Sequence, residues 1–150
     1  MDLDALAELL SRVLAAEGVP STAEASLQLV APEAIAELKA EHLGGDGPTD
    51  VLSFPIDGAD GDGTEEWMVG DVVLCAEVAA EQAPEHAGDL DAELALLVTH
   101  GGLHLCGWDH AEPDERDRMW ARERELLDRL GRTPPLDPWS ESTAQEESAR

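Results

Sequence analysis

The chain has 150 residues, of which 43% are hydrophobic, and this suits one domain with its own apolar core. Its 34 acidic and 9 basic residues give a formal net charge of −25, which argues against a simple nucleic-acid binder with a basic face. The apolar runs are short and interrupted by charge, and no basic segment precedes an apolar one at the start, so we expect neither a membrane span nor a signal peptide.

The first part of the chain alternates between helical and strand patterns. In chain order these predict a helix over 2–17, a strand over 26–30, a helix over 32–43 and a strand over 49–55. The first helix carries apolar residues at helical spacing and is closed by Gly18 and Pro20. Pro32 stands where the first turn of a helix accepts proline.

Residues 57–66, DGADGDGTEE, combine glycine with acidic residues and have no apolar anchor. The spacing of Asp57, Asp60 and Asp62 invites a calcium interpretation. The glutamate and the flanking helices of the calcium-binding EF-hand pattern are missing, however. We therefore favour a solvated surface loop over a cation site.

The second part of the chain predicts the remaining elements. They are a strand over 69–75, a helix over 76–86, a helix from about Leu90 to Cys106 and a helix over 112–130. Short strands followed by helices predict one small α+β (α/β-like) domain over 1–133, with a mixed sheet of three or four strands and about five helices. The polar residues 134–150 predict a disordered acidic tail.

Three of the five histidines lie within residues 100–110, HGGLHLCGWDH. His100 and His104 are one helical turn apart, so their rings point to the same side of a buried helix. Gly107 predicts a left-handed helix end, after which a short turn brings His110 back over that side. Three neutral imidazoles predict a site for one Zn²⁺ per chain at the C-terminal end of this helix, with a fourth position open to water. The predicted nucleophile is the metal-bound water, and no side chain is assigned a catalytic role.

The other candidate ligands are interpreted as structural. Cys106 lies two residues from His104, near the opposite side of the helix, and we expect it to pack in the core. His42 and His86 are isolated in the sequence and are expected on the surface. A lone histidine on an apolar helix is more often a core residue than a ligand, but three at this spacing favour a metal.

Two adjacent glycines, Gly101 and Gly102, stand inside the predicted helix, where each costs about 1 kcal/mol relative to alanine. Such a cost is accepted where something approaches the backbone closely. The approaching group is either a strand or a substrate at the metal, and we favour a strand.

The histidine motif, preceded in the chain by PTDVLSFP at 48–55 and GDVVLC at 70–75, resembles the YbeY family of bacterial metal-dependent endoribonucleases. The resemblance runs from about Ile35 to Leu130. It implies a single-strand-specific, zinc-dependent endoribonuclease of the cytoplasm, acting in small-subunit ribosomal RNA maturation at the 3′ end and in ribosome quality control. It also implies that small-subunit ribosomal proteins and an assembly GTPase are partners. Two widely separated cysteines agree with a reducing compartment.

By the same resemblance, His100, His104 and His110 match the three zinc ligands. Family members commonly have an asparagine, an aromatic residue and a phosphate-handling arginine before the PTDVLSFP-like strand, and those places hold Lys39, His42 and Leu43 here. Arginines that could supply charge from another direction are Arg116, Arg118 and Arg122. The family often has a strand before the first helix, whereas this chain begins directly in the predicted helix.

Two carboxylates are candidates for orienting a ligand imidazole, as the partners of metal-bound histidines do. Asp109 stands beside His110, and Asp50 begins a predicted strand. The alternative for both is the capping of a turn or a strand end, and we favour this alternative for Asp50.

Two other functions compete with the ribonuclease. One is a non-catalytic ribosome assembly factor whose metal is structural, which the acidic charge and Leu43 favour. The other is a metal-dependent hydrolase on another substrate, such as a peptide. The peptidase motif H-E-x-x-H has its general base where this chain has Gly101, which counts against a peptidase. For the ribonuclease, we expect RNA contact to be confined to a cleft at the metal and to depend on ribosomal partners.

Overall fold

The computed structural model describes residues 2–59 and 67–139. These residues form five α-helices and a three-stranded mixed sheet, which confirms the predicted α+β class with the lower of the two strand counts. The elements are α1 (Leu3–Ala16), β1 (Glu24–Leu29), α2 (Pro32–Leu43), β2 (Val51–Pro55), β3 (Met68–Leu74), α3 (Ala76–Gln82), α4 (Leu90–Leu105) and α5 (Pro113–Arg129). Among the described residues, no helix is long and apolar enough to cross a membrane.

The predicted helix over 76–86 is shorter than expected. It ends at Gln82, and a 3₁₀ turn over Ala83–Glu85 follows. Pro84 explains the difference, because proline lacks the N–H that an α-helix interior needs and its ring clashes with the preceding turn. The chain therefore leaves the helix before His86.

The sheet has the order β1-β3-β2, with β3 parallel to β1 and antiparallel to β2. β3 is apolar on both faces, and Val69, Val72, Val73 and Leu74 are all buried. A strand that buries both faces belongs in the middle of a sheet. β2 consequently lies at an edge of the described sheet, where it contacts α4.

Helix α4 is the centre of the domain. It contacts α1, α3, α5, β2 and β3, and every residue from Glu93 to Leu103 is buried. A helix that is apolar nearly all round is stable only when other elements surround it. The prediction of a buried helix is confirmed, and its C-terminal end is the part that carries the histidines.

The two glycines of α4 allow close packing. A Cβ atom on Gly101 would lie 2.9 Å from a methyl carbon of Val72 and 3.1 Å from the Ser53 hydroxyl, so β3 and β2 both approach it. A Cβ on Gly102 would lie 3.0 Å from Leu10 of α1. The packing interpretation is confirmed, with a strand neighbour for Gly101 and a helix neighbour for Gly102.

Replacing Gly101 by alanine is expected to lower the free energy of unfolding by about 1–2 kcal/mol. The 2.9 Å contact places the overpacking cost in the upper part of its usual range, about 2–3 kcal/mol, and the better helix propensity of alanine recovers about 1 kcal/mol. Urea unfolding measures the change. Gly102→Ala is the control. Its Cβ would lie 3.0 Å from a methyl carbon of Leu10 and 3.1 Å from one of Val13, both farther than the 2.9 Å contact at Gly101, so a smaller loss is expected. A Gly101→Ala variant as stable as the wild type would show that the strands can move away.

Beyond α5 the chain remains against the domain through residues 134–139. The Leu136 N–H donates to the Ala87 carbonyl at 3.1 Å, and Trp139 packs against the main core. The predicted tail began at Pro134, but the backbone bond of Leu136 and the packing of Trp139 hold this segment against the domain. The remainder of that predicted tail, 140–150, lies outside the described residues.

The acidic loop is described only at its start. The Asp57 carboxylate accepts the backbone N–H of Met68 at 2.9 Å, so it fixes the beginning of β3. Asp60 and Asp62, on which the calcium interpretation also depends, lie outside the described residues.

Candidate metal centre

His100, His104 and His110 meet at the C-terminal end of α4. The ring centroids are 4.5 Å apart for His100 and His104, 5.0 Å for His104 and His110, and 5.2 Å for His100 and His110. One ring nitrogen from each lies within 4.8 Å of the other two. Among the residues that the structure describes, this is the only group of histidine, cysteine and acidic side chains able to hold a metal ion.

The end of α4 brings the third histidine to the other two. Gly107 has φ +98°, a left-handed conformation that glycine adopts without strain. Its N–H donates to the His104 carbonyl at 3.0 Å, and the Trp108 N–H donates to the Leu103 carbonyl at 3.1 Å. This is the hydrogen-bond pattern of a Schellman helix end, so the predicted cap at Gly107 is confirmed.

Hydrogen bonds fix the tautomers of the two helical histidines. Nδ1 of His100 lies 2.8 Å from a carboxylate oxygen of Glu123, and Nδ1 of His104 lies 2.8 Å from the Trp108 carbonyl oxygen. Both oxygens are acceptors, so both Nδ1 atoms carry the proton and donate. The lone pairs of these imidazoles are therefore on their Nε2 atoms.

Those two Nε2 atoms are 3.1 Å apart. Facing lone pairs at this distance repel each other unless a proton or a metal cation lies between them. Adjacent nitrogens of a tetrahedral zinc site, with Zn–N bonds of about 2.0–2.1 Å, are separated by roughly 3.4 Å. The donor set thus fits a divalent cation such as zinc.

The protonation state of His104 favours metal binding. The pKa of His104 is lowered to about 3, chiefly by burial and also by the neighbouring His100 and His110, against the raising effects of the Trp108 carbonyl and Asp109. His104 is therefore neutral near pH 7 and can bind a cation without first losing a proton.

Glu123 is a site residue that the sequence interpretation missed. Its carboxylate is 2% exposed, accepts from His100 and also accepts from Nε1 of Trp139 at 3.0 Å. A signal was present, because Glu123 falls on the apolar face of α5 with Met119 and Leu127. A carboxylate on such a face needs hydrogen-bond donors within the fold.

The turn that carries His110 is anchored through Trp108. Its indole N–H donates to Glu17, at the end of α1, and Glu17 forms an ion pair with Arg122 of α5 at 2.7 Å. The Trp108 carbonyl holds His104 at the same time. Contacts with α1 and α5 thus fix the position of the turn that carries His110. The charge of Arg122 is paired with Glu17 in this arrangement.

The other two candidate arginines have different surroundings. The guanidinium carbon of Arg116 lies 4.9 Å from the centroid of the Trp120 ring, and Arg116 pairs with Asp117. Arg118 lines a cavity of about 260 Å³ together with Trp108 and Asp109. Of the three, Arg118 stands beside the ligand turn.

Asp109 and Asp50 make hydrogen bonds to backbone and amide groups. Asp109 accepts the backbone N–H of His110 at 2.7 Å, which holds the turn. Asp50 is buried and accepts from the Gln82 amide at 2.5 Å, and Gln82 also donates to Glu93 at 3.2 Å. The expectation that either carboxylate orients an imidazole stays a prediction.

The prediction for His86 is wrong. His86 is 3% exposed, and its Nδ1 lies 2.7 Å from a carboxylate oxygen of Glu93, which is fully buried. The 3₁₀ turn after α3 carries His86 onto α4, a tertiary contact that its isolated place in the sequence did not reveal. His42 is exposed, as predicted, and Cys106 packs against the main core, as predicted.

The cluster opens into a cavity of about 240 Å³ between the end of α4 and the edge strand β2. Its lining residues are Leu43, Val51, Leu52, Ser53, Pro55, His100, His104 and His110. Leu43 is 62% exposed at its rim. Among the residues that the structure describes, this lining contains no lysine or arginine, so the described cleft offers metal ligands and apolar surface but no fixed cation for a phosphate.

Comparison with known proteins identifies one family. The sequence profile described as Endoribonuclease YbeY matches residues 2–131. A relative from Frankia casuarinae is 48% identical over 131 residues, covering 81% of this chain and 64% of the relative, less than two thirds of its length. Relatives from Thermobifida fusca (46% over 130 residues, 84% of each chain) and Salinispora tropica (44% over 136 residues, 85% and 87%) are covered more fully. All three carry the name Endoribonuclease YbeY.

The fold also has a counterpart among solved structures. The solution structure of a protein from Thermotoga maritima is similar with a TM-score of 0.54 and 28% sequence identity. The match covers 92% of this chain and 91% of that one. The arrangement of helices and sheet around the histidine cluster therefore recurs in a chain of distant sequence.

Proposed function

The chain belongs to the Endoribonuclease YbeY family, and on this basis we propose that it is a metal-dependent endoribonuclease that hydrolyses phosphodiester bonds of RNA. The observation that carries the proposal is the cluster of three imidazoles opening into the cleft beside β2. A closed structural site would surround its ion with four protein ligands, whereas three leave a position for water or substrate.

His100, His104 and His110 would hold the ion, and zinc is the cation that three imidazoles suit best. A zinc ion supplies Lewis-acid stabilisation of the charge that develops on phosphate and activates water for attack. Other groups of the protein orient the imidazoles of His100 and His104. Glu123 keeps the proton of His100 on Nδ1, and the Trp108 carbonyl does the same for His104, so both Nε2 atoms are available.

We propose single-stranded ribosomal RNA as the substrate, with the 3′ end of the small-subunit RNA as the processed region. The cavity is too small to admit a duplex, whereas an unpaired strand can bend to present one phosphodiester bond. Family membership supports the assignment to ribosomal RNA maturation and quality control.

Delivery of the RNA by partners is part of the proposal. A net charge of −25 opposes the approach of RNA, and the described residues of the cleft lining include no lysine or arginine that would replace the counterions of an RNA phosphate. Small-subunit ribosomal proteins and an assembly GTPase in the cytoplasm would supply the binding that this surface lacks.

Single-turnover cleavage of a small-subunit RNA precursor tests the proposal. Zinc-loaded and metal-depleted protein are compared, each alone and with small ribosomal particles. Cleavage is expected to require zinc and to increase with the particles. The triple variant His100→Ala/His104→Ala/His110→Ala is the control, since cleavage that persists in it comes from a contaminating nuclease and rejects the proposal.

A second candidate is a non-catalytic assembly factor with a structural metal. The observation that favours it is the cleft itself, where Leu43 occupies the rim and no lysine or arginine lines the cavity. The same experiment separates the two functions. An assembly factor would bind zinc and particles without cleaving the RNA precursor.

Replacing Leu43 by arginine is expected to strengthen RNA binding and cleavage at low salt. One added phosphate contact should steepen the dependence of log affinity on log salt concentration by about 0.7, the value for a single strand. Fluorescence anisotropy at several salt concentrations measures it. Leu3→Arg is the matched control, because Leu3 is an exposed leucine of α1 and its replacement changes net charge equally. Equal effects of both variants would mean that net charge, not the cleft, is responsible.

A further inference from the structure

The chain beyond α5 contacts the metal centre through one tryptophan. Nε1 of Trp139 donates to Oε1 of Glu123 at 3.0 Å, while Oε2 of the same carboxylate accepts from Nδ1 of His100 at 2.8 Å. Each oxygen of a carboxylate that is 2% exposed therefore has its own donor. The Glu123 side chain alone therefore links the Trp139 indole to the His100 imidazole.

Trp139 is itself held in place by its neighbours. The guanidinium carbon of Arg124 lies 4.9 Å from the centroid of the Trp139 ring. Asp137 accepts from Arg124 at 3.2 Å and from the backbone N–H of Trp139 at 3.0 Å. These contacts join the segment to α5 one residue from Glu123, so the indole N–H is aimed at the carboxylate rather than at solvent.

We propose that Trp139 is a positioning residue of the histidine cluster, acting through Glu123. A carboxylate with a donor on each oxygen cannot rotate without losing a hydrogen bond in a buried environment, where the loss is costly. Its Oε2 thus stays directed at His100, the His100 proton stays on Nδ1, and the Nε2 lone pair stays directed at the ion. The inference rests on the proposed function insofar as the cluster binds a metal.

The first test is Trp139→Phe, which removes the indole N–H and keeps an aromatic ring. Zinc affinity is measured by competition with a chelator of known affinity, with circular dichroism as the check on folding. We expect the dissociation constant for zinc to rise about tenfold, the lower end of the effect of losing an outer partner of a metal ligand. Trp67→Phe is the matched control, because it removes an indole N–H that donates to the Gly58 carbonyl at 2.8 Å and should leave the affinity unchanged.

The second readout does not involve the metal. In metal-free protein, nitrogen-15 NMR of His100 should show Nδ1 protonated in the wild type. In Trp139→Phe the His100 Nδ1–H resonance should broaden through exchange, which loss of packing elsewhere would not cause. A folded Trp139→Phe variant with wild-type zinc affinity and a wild-type His100 spectrum overturns the proposal, as does an equal loss of affinity in Trp67→Phe.

Arg124→Gln serves as the second variant if Trp139→Phe does not fold. Arg124 and Asp137 are more than half exposed, so this change leaves the core intact. It removes the cation over the Trp139 ring and should weaken zinc binding about two- to fivefold. An unchanged affinity in that case rejects the proposal.

No readout uses RNA, so absence of cleavage would reject the proposed activity alone. If the wild type binds no zinc, the proposed metal function fails, and the His100 spectra still decide the role of Trp139.

Discussion

Replacing His104 by alanine is expected to abolish metal binding and RNA cleavage together. The wild type should carry about one zinc ion per chain, as a site of three imidazoles does. The variant retains two ligands, His100 and His110, which do not complete such a site. The lowered pKa of His104 and its bond to the Trp108 carbonyl prepare it as a neutral metal ligand. Zinc content by atomic emission and single-turnover cleavage of the same preparations measure both losses.

His42→Ala is the matched control for that experiment. The substitution is the same, but His42 is exposed, and its ring packs edge-on against Phe54 with centroids 5.2 Å apart. It lies outside the three-histidine cluster, so zinc content should not change. Full zinc content in the His104→Ala protein would show that the cluster is not the metal site.

Replacing Glu93 by alanine is expected to have the largest effect on stability, about 3–5 kcal/mol. Glu93 is fully buried in α4, and its carboxylate accepts from Nδ1 of His86 at 2.7 Å, from the Ala87 N–H at 3.1 Å and from the Gln82 amide at 3.2 Å. Alanine leaves these donors without that acceptor and opens a cavity beside them. Small domains are stable by only about 5–15 kcal/mol, so much of the stability would be lost.

Urea unfolding of Glu93→Ala and of Glu81→Ala measures this effect. Glu81 is an exposed glutamate of α3, so the control removes the same group from solvent and should change the free energy of unfolding by less than about 0.5 kcal/mol. Zinc binding by the folded fraction of Glu93→Ala should persist, because Glu93 lies two turns before His100. A loss of less than about 1 kcal/mol would show that water replaces the carboxylate without cost.

The histidine cluster was predictable because its determinants are local. His100 and His104 share a helical face by spacing alone, and Gly107 marks the point where the chain must turn back with His110. The close approach to Gly101 was predictable for a similar reason, since glycine in a buried helix indicates a near neighbour. Such features need only helix geometry and the conformational freedom of glycine.

The residues that escaped prediction act through tertiary contacts. Glu123 contacts His100 from 23 residues away along the chain. This contact depends on how α5 packs against α4, which local sequence patterns do not specify. His86 is buried because a 3₁₀ turn directs it to Glu93, a pairing that composition does not encode. Trp139 was assigned to a tail by the polarity of its neighbours, whereas its own apolar ring and N–H find partners on α5. The pairing order of the strands likewise depends on long-range packing rather than on local pattern.

We propose that the three-histidine cluster holds the ion on which RNA cleavage depends. Titrating zinc into metal-depleted wild-type protein, with single-turnover cleavage of the RNA precursor in the presence of small ribosomal particles recorded at each point, tests it directly. We expect the cleavage rate to rise in proportion to bound zinc and to reach its maximum at one ion per chain. A cleavage rate that is already maximal before zinc is added, or that does not follow zinc occupancy, would contradict it.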